Sequence, residues 1–320
     1  MKIALIGTGM IGRAWAISFA RAGHHVVMQN RSRDRADAAR ETIVAMLPAL
    51  AESGLLNGAS PEDTADAISV VDTLPEALDS ADYVQENVAE VVGVKREVFS
   101  ALEAHSRPDT ILASSTSALV PSSFTDQLTH RERCLVVHPL NPPYLIPAVD
   151  VVPSPWTSKE VIDRVCDLLV SCGQAPIPMD KEDPGFLTIR LQGAIYHEAF
   201  RLVSEGLASP EAVDTCIRDG LGLRWSFMGP FETGDLNAPG GIRDFVGRYG
   251  QSYDDMYPRG GPFPWTGEVL DQVEAARRDR LPMEEHPQRQ AWRDRRLVAL
   301  IAHKRAQAEA DEEAEGSATS

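Results

Sequence analysis

The sequence contains little cysteine, and its cysteines are not arranged as a metal site. Only four of the 320 residues are cysteine. Cys134, Cys166, Cys172 and Cys216 form neither a CxxC pair nor the spacing of a metal-ligand set. We therefore expect reduced, mostly buried thiols and no bound metal.

Basic charge is also scarce. The chain has 31 lysine and arginine residues against 47 aspartate and glutamate residues, which leaves a net charge of −16 with histidine neutral. Nucleic acids and anionic membranes attract positive fields, so this balance argues against both as partners. A local basic pocket for a phosphate group is still compatible with it.

Long apolar runs are missing as well. No run approaches the roughly 20 apolar residues that a membrane-spanning helix needs. The apolar stretch after Lys2 ends at Gly7, which is too short for a secretory signal peptide. These absences predict a cytoplasmic protein. A small-molecule substrate as its partner is indicated by the motifs described below. The chain is 43% hydrophobic, which is enough to bury a sizeable core.

Segments of strand and helix composition alternate over the first half of the chain. Residues 2–6 are almost all apolar, which is typical of a strand buried on both faces of a parallel sheet. Strands that alternate with helices indicate βαβ units. We therefore predict an α/β fold: a Rossmann-type, doubly wound, mostly parallel sheet followed by an all-α second domain. The other strand candidates are 25–29, 68–71, 83–85, 110–113, 135–137 and 175–178.

The composition changes near residue 183 and again near residue 306. Strand-like segments stop before Pro184, and a long amphipathic stretch follows. The last residues are acidic and small. We predict a dinucleotide-binding domain over 1–182, a helical substrate and dimerisation domain over 183–305, and a disordered tail over 306–320.

A glycine motif follows the first strand directly and opens a helix, which is the context of a dinucleotide site. Gly7 permits the tight turn, Gly9 lets the backbone approach a pyrophosphate, and Gly12 lets the helix pack closely on the strand. Met10 and Ile11 begin that helix. Its free N–H groups are expected to bind the pyrophosphate.

The end of the second strand predicts which nicotinamide cofactor binds. An NAD site has an acidic residue there, which binds the ribose 2′-hydroxyl. This chain has Asn30 and Arg31, with Arg33 close behind. Guanidinium groups can pair with a 2′-phosphate, so the sequence favours NADP, with NAD as the alternative. The competing interpretation is that both arginines are ordinary solvated residues at a helix start.

Several later segments carry a family resemblance. Together with the N-terminal glycines, they resemble the L-3-hydroxyacyl-CoA dehydrogenase superfamily, and most closely its lambda-crystallin or L-gulonate 3-dehydrogenase branch. The segments are 114–117 (SSTS), 138–143 (HPLNPP), 219–225 (DGLGLRW), 229–233 (GPFET) and 236–238 (LNA).

This resemblance implies both an assembly and a reaction. Proteins of this family join a Rossmann-type domain to a helical domain that forms a homodimer. They oxidise the 3-hydroxyl group of a hydroxy acid, or of its thioester, by transfer of a hydride from the carbon that bears it to NAD. Their working group is a histidine held by a glutamate, with a serine and an asparagine at the substrate oxygen. Here the histidine is His138 and the serine is Ser117.

The residue chemistry agrees with these roles. An unperturbed imidazole titrates at about pH 6.5, so His138 can take up and return a hydroxyl proton near neutral pH. It follows a predicted strand, at the sheet edge where open α/β folds bind ligands. The hydroxyl of Ser117 can donate to a developing alkoxide. The alternative for Ser117 is a helix-capping role in a loop rich in serine and threonine.

The resemblance also implies cofactor or substrate contacts for Glu90, Lys95 and Asn141. The alternative for Glu90 and Lys95 is an exposed pair without a role. Arg224 lies in the DGLGLRW segment. We hypothesise that its guanidinium fork clamps a substrate carboxylate.

Two positions depart from the family pattern. The glutamate is expected twelve residues after the histidine, and that position holds Asp150. Its charge can orient the imidazole and stabilise the imidazolium, so Asp150 is the candidate for the glutamate's catalytic role, although it is one methylene shorter. The asparagine is replaced by Ile189, which cannot donate a hydrogen bond. Loss of one such donor costs ~10²–10³ in rate. Thr188 and Gln192 are the candidates to replace it.

The sequence thus predicts an NADP-preferring dehydrogenase for a 3-hydroxy acid or related alcohol, with His138 as general acid and base. Three alternatives remain: a bulkier or less polar, even aromatic, alcohol; a 3-hydroxyacyl-CoA; or a cofactor-binding, crystallin-like protein with little turnover. The 3-hydroxyisobutyrate and imine reductase group also has Asn-Arg after its second strand. It is disfavoured because the helical stretch 185–206 contains no catalytic lysine.

Overall fold

An eight-stranded sheet is built from residues 2–178. The computed structural model describes residues 1–226, 229–238, 241–256 and 282–318, with the isolated positions 268, 271 and 279. The strands are β1 Lys2–Ile6, β2 His25–Gln29, β3 Ile68–Val71, β4 Tyr83–Glu86, β5 Ile111–Ser114, β6 Cys134–Pro139, β7 Ala148–Pro153 and β8 Ala175–Pro178.

The strand order is β3-β2-β1-β4-β5-β6-β7-β8. All neighbouring strands are parallel except β6 and β7, which are antiparallel. The chain winds from β1 to β3 in one direction and then continues with β4 on the other side of β1. That reversal defines a switch point of the kind at which open α/β sheets bind ligands. The predicted doubly wound, mostly parallel sheet is confirmed.

Helices cover both faces of the sheet. Alternate residues of β1 enter opposite cores, because successive side chains in a strand point to opposite faces. Ile3 and Leu5 join the cluster that contains Trp15 and Phe19. Ala4 belongs to the other cluster. The helices are α1 Met10–Ala20, α2 Arg33–Glu52, α3 Pro61–Asp66, α4 Leu74–Leu78, α5 Val92–His105, α6 Ser122–Thr125 and α7 Lys159–Ser171, with a 3₁₀ turn at Arg131–Arg133.

After β8, the elements in the described part of the chain are helical. The chain divides into two compact units, residues 1–190 with 292–320 and residues 191–291. These elements are α8 Phe186–Ser204, α9 Pro210–Cys216, a π-helical turn Ile217–Leu221, α10 Gly222–Trp225, α11 Pro230–Leu236, α12 Gly241–Met256, a 3₁₀ turn Met283–Glu285 and the C-terminal helix His286–Ala318.

The units divide later than the predicted boundary at 182/183. The first turn of α8 belongs to the sheet unit because Phe186 is fully buried in its core. Part of the predicted second domain also belongs to the sheet unit, since Val298 and Ile301 of the C-terminal helix pack against the first core cluster. Sequence composition could not reveal these distant contacts.

The tail at 306–320 differs from the prediction of disorder. The C-terminal helix continues through it to Ala318. Alanine and glutamate dominate this segment, and both are strong helix formers, so local propensity accounts for the helix despite the lack of apolar residues.

The cysteines are free, as predicted. Cys134 and Cys172 are buried, Cys166 is half-buried and Cys216 is exposed. Burial raises the pKa of the Cys134 thiol to about 12, so this thiol stays protonated and unreactive near neutral pH.

Across the described ranges, no cluster of side chains could hold a metal ion. No helix in those ranges is long and apolar enough to cross a membrane.

Candidate active site

The glycine loop after β1 has the geometry that its motif predicts. Gly7 has a φ of +96°, and a Cβ there would lie 2.7 Å from the carbonyl oxygen of Asn87. A Cβ on Gly12 would lie 2.1 Å from the carbonyl oxygen of Gly7. At Gly9, in contrast, nothing lies within 4 Å of the Cβ position. Two glycines therefore permit close packing, and the third leaves open space beside the backbone.

The start of α1 is free to bind an anion. Gly9 supplies no side-chain cap, and the first turn contains no acidic residue. The free N–H groups and the positive end of the helix dipole therefore have no competing partner there. Met10 is 60% exposed, and its Sδ accepts a hydrogen bond from Asn141 Nδ2 at 3.3 Å. The loop after β6 thus reaches the glycine loop, and the cradle fits a dinucleotide pyrophosphate.

Asn30 connects the end of β2 to the glycine loop. Its Nδ2 donates to Thr8 Oγ1 at 2.8 Å, and its Oδ1 accepts from the Ser32 backbone N–H at 3.3 Å. A groove of about 320 Å³ lies beside it and is lined by two arginines, Arg13 and Arg35. None of the lining residues that the structure describes is acidic. The sequence reasoning missed Arg13 and Arg35, because only the fold brings α1 and α2 together beside Asn30.

The two arginines that the sequence singled out differ in availability. Arg33 is held by Asp37 at 2.8 Å and by Asp72 at 3.2 Å. Arg31 is exposed, and no hydrogen bond or ion pair joins it to another residue in the described ranges. Of these two guanidinium groups, therefore, only Arg31 is available for a ligand.

Lys95 lies in a buried ion pair that the sequence reasoning did not identify. Its Nζ is 2.9 Å from Glu86 Oε2, and both side chains are fully or almost fully buried. Ser114 Oγ donates to the same carboxylate at 2.6 Å. The predicted partner Glu90 is farther away, at 3.6 Å. Lys95 is therefore held mainly by Glu86, the last residue of β4.

Glu90 holds the loop that carries Ser117. Its Oε1 accepts from the backbone N–H groups of Ser117 at 3.0 Å and Ala118 at 3.1 Å, and from the Thr116 hydroxyl. Burial would raise the pKa of Glu90, but the Thr116 hydrogen bond and the Lys95 charge outweigh it and lower the pKa. Ser117 is exposed. Its hydroxyl makes no hydrogen bond to another residue in the described ranges.

His138 and Asp150 face each other across the antiparallel β6–β7 pair. His138 Nδ1 lies 3.1 Å from Asp150 Oδ2. Asp150 is fully buried and His138 is 6% exposed. The twelve-residue spacing follows from the hairpin-like return of β7 along β6, which places the two residues directly opposite. Asp150 therefore reaches the imidazole although it is shorter than the family's glutamate.

A threonine completes this arrangement. Thr188 Oγ1 donates to Asp150 Oδ1 at 2.9 Å, and the Thr188 backbone N–H donates to Oδ2 at 3.3 Å. The His138 ring also lies 5.6 Å from the Phe186 ring, centroid to centroid. With Nδ1 donating to the carboxylate, Nε2 is the basic nitrogen of the imidazole.

Both residues suggested as a replacement for the missing asparagine already make a side-chain hydrogen bond. The Thr188 hydroxyl is directed at Asp150. Gln192 Nε2 donates to the Tyr196 hydroxyl at 3.3 Å within the second unit. Ile189 is half-buried. Arg224 is an exposed residue of α10 in the second unit, so its role as a substrate clamp stays a prediction.

The features above define a class: a nicotinamide-binding Rossmann protein with a histidine–carboxylate pair where β6 ends. Residues 2–183 match the NAD binding domain of 3-hydroxyacyl-CoA dehydrogenase, and residues 185–279 match its C-terminal domain. The chain belongs to the 3-hydroxyacyl-CoA dehydrogenase family and is an oxidoreductase of that family with an NAD-binding domain.

Its relatives include crystallins and dehydrogenases. Lambda-crystallin of Oryctolagus cuniculus is 38% identical over 307 residues, which cover 95% of this chain and 96% of the relative. L-carnitine dehydrogenase of Pseudomonas putida is 37% identical over 264 residues, or 82% of this chain and 78% of the relative.

A solved structure of similar fold is a 5-formyl-3-hydroxy-2-methylpyridine 4-carboxylic acid 5-dehydrogenase, described as an NAD⁺ dependent dismutase. It superposes with a TM-score of 0.80 at 28% identity. The match covers 94% of this chain and 98% of the other. The family resemblance predicted from sequence is therefore confirmed.

Proposed function

We propose that this protein is an NADP-preferring dehydrogenase of a 3-hydroxy acid or related alcohol, with His138 as general acid and base. The observation that carries the proposal is the hydrogen-bonded series His138–Asp150–Thr188. A base whose other ring nitrogen is held by an oriented carboxylate is the arrangement that activates a hydroxyl group.

In the proposed oxidation, His138 Nε2 takes the hydroxyl proton of the substrate. The Asp150 carboxylate stabilises the imidazolium that forms, and Thr188 keeps that carboxylate in place. Ser117, held in position by Glu90, donates a hydrogen bond to the substrate oxygen. A bound nicotinamide supplies the hydride acceptor. Reduction runs the same proton transfer in reverse.

The preference for NADP rests on the groove beside Asn30. Arg13 and Arg35 line it, and its lining residues within the described ranges include no carboxylate that would repel a 2′-phosphate. Arg31 is exposed and follows Asn30 in the sequence. The structural relative described as NAD⁺ dependent makes NAD the alternative.

The substrate class rests on the family and on Ile189. L-carnitine, for which one relative is named, is a 3-hydroxy acid. A half-buried Ile189 in place of a hydrogen-bond donor favours a less polar substrate, and the substituted pyridine acted on by the structural relative supports an aromatic alcohol as second candidate.

The test is a turnover panel with His138→Gln. The panel contains 3-hydroxy acids, aromatic alcohols and 3-hydroxybutyryl-CoA, each with NADP and NAD. We expect His138→Gln to lower kcat by ~10²–10⁴ with unchanged cofactor affinity. His130→Gln, at an exposed histidine paired with Glu132, is the matched control. NADPH binding without turnover on any substrate would contradict the proposal and favour a crystallin-like role.

We further propose that the second unit forms a homodimer. Leu191 and Ile195 of α8 are 58% and 40% exposed. Val246 and Tyr253 of α12 are also exposed. Exposed apolar side chains at this density are typical of an interface. Light scattering after size-exclusion chromatography tests this, and a monomer at micromolar concentration would contradict it.

A further inference from the structure

A cavity of about 260 Å³ lies in the sheet unit between the end of α1, the loop after β6 and the C-terminal helix. It shares no lining residue with the groove beside Asn30. A water molecule occupies ~30 Å³ in the liquid, so this cavity has room for a ligand of several atoms.

Three cations line this cavity: Arg21, Lys304 and Arg305. None of its lining residues within the described ranges is acidic. Like charges collected without a counter-charge repel one another, which is costly for the folded protein. The chain as a whole has a net charge of −16, so positive charge is locally concentrated here. This concentration favours the binding of an anionic ligand.

Arg21 has donor capacity that the protein leaves unused. Its side chain is 5% exposed. One terminal nitrogen, Nη1, donates to the carbonyl oxygens of Leu55 at 3.0 Å and Tyr144 at 2.8 Å. Its Nε–H, however, is buried and has no hydrogen-bond partner in the described ranges. Burial, together with the neighbouring Arg305 charge, lowers the pKa of Arg21 to about 10. A buried charged donor of this kind is costly unless a ligand satisfies it.

The remaining wall is apolar. Pro143, Leu145, Pro147 and Ile301 line it beside the cations. An inorganic anion would leave this apolar surface uncovered, whereas an organic anion would cover it and gain from its burial.

We propose that this cavity is a binding site for a small organic carboxylate, whose acidic group pairs with Arg21, Lys304 and Arg305 and whose apolar body lies against Leu145 and Ile301. The ligand would contact the loop that joins β6 to β7. That loop leads from His138 to Asp150, so a bound carboxylate would lie one loop away from the proposed catalytic pair.

The probes are 4-bromobenzoate and its neutral analogue 4-bromobenzamide, titrated calorimetrically into the full-length protein saturated with NADPH. We expect the carboxylate to bind at least about tenfold more tightly than the amide, because only the carboxylate makes charge-assisted hydrogen bonds. Crystals soaked in 4-bromobenzoate should show an anomalous bromine peak in this cavity.

The variant is Lys304→Ala with Arg305→Ala. Both residues are exposed, so we expect the melting temperature to be retained while 4-bromobenzoate affinity falls by about tenfold. Lys159→Ala is the matched control, because Lys159 is an exposed lysine paired with Asp163 in the same unit. It should bind like the parent.

Three results would overturn the site. They are equal affinity for the carboxylate and the amide, unchanged affinity in the double variant, and a bromine peak found only outside the cavity. Calorimetric binding of inorganic phosphate without any binding of 4-bromobenzoate would overturn the proposal that the ligand is organic. Even if the double variant is unstable, the bromine position in the parent protein shows whether 4-bromobenzoate binds in this cavity.

Discussion

Replacement of Arg31 by alanine is the sharpest test of the proposed NADP preference. Arg31 follows Asn30 at the end of β2 and is free in the described part of the chain. Arg33, two positions later, is held by Asp37 and Asp72. The chain therefore provides its own control, because both variants remove one guanidinium group but only one of them was available to a 2′-phosphate.

The expected magnitude follows from the kind of contact. A hydrogen bond to a charged group contributes ~1.5–3 kcal/mol. Arg31 is exposed, and solvent screening favours the lower end, which corresponds to about a tenfold weaker Kd for NADPH in Arg31→Ala. NADH lacks the 2′-phosphate, so its Kd should be unchanged. Arg33→Ala should alter neither affinity.

The assay is quenching of tryptophan fluorescence during separate titrations with NADPH and NADH. Trp15 is fully buried in α1 and donates to Ser115 Oγ at 3.1 Å, so cofactor bound at the glycine loop lies near a reporter. The difference between the two cofactors should shrink as salt rises, because exposed charge pairs are screened. Tighter binding of NADH by the parent protein, or equal losses for both cofactors in Arg31→Ala, would contradict a contact between Arg31 and the 2′-phosphate.

Three further predictions concern the site. Thr188→Val removes a hydrogen bond to buried Asp150 and should lower kcat by about ten- to a hundredfold with unchanged NADPH affinity. Thr188→Ser keeps the hydroxyl group and should retain most of the parent kcat. Steady-state kinetics of both variants check this. Gly12→Ala places a Cβ 2.1 Å from the Gly7 carbonyl oxygen and should abolish cofactor binding in the fluorescence titration; retained affinity would contradict the cradle. Arg224→Met should raise KM for an acidic substrate far more than for a neutral one, and equal effects would exclude the carboxylate clamp.

Sequence reasoning succeeded where the signal was local or carried by a motif. The alternation of strands and helices, the glycine loop and the end of β2 were each identified from short segments. It missed Glu86, which lies 2.9 Å from Lys95 while Glu90 lies 3.6 Å away, because a spacing along the chain does not show which carboxylate an adjacent strand presents. The tail at 306–320 was misjudged because its lack of apolar residues outweighed its helix-forming composition.

The contact between Asp150 and His138 also could not be predicted from sequence. The sequence shows only that the family's glutamate is replaced by an aspartate, which is one methylene shorter. The antiparallel register of β6 and β7 places the two residues opposite each other, and Thr188 comes from the start of α8 to hold the carboxylate. Neither the strand register nor the Thr188 contact can be derived from residue identities alone.

The fold class, the family and the position of the dinucleotide loop follow from the amino-acid sequence, because hydrophobic periodicity and glycine requirements act between near neighbours. The pairing of charges, the availability of Arg31 and the meeting of Arg21 with Lys304 and Arg305 at one cavity are visible in the folded protein alone. Those outcomes depend on side chains far apart in sequence, and their approach is set by strand register and helix packing over the whole unit.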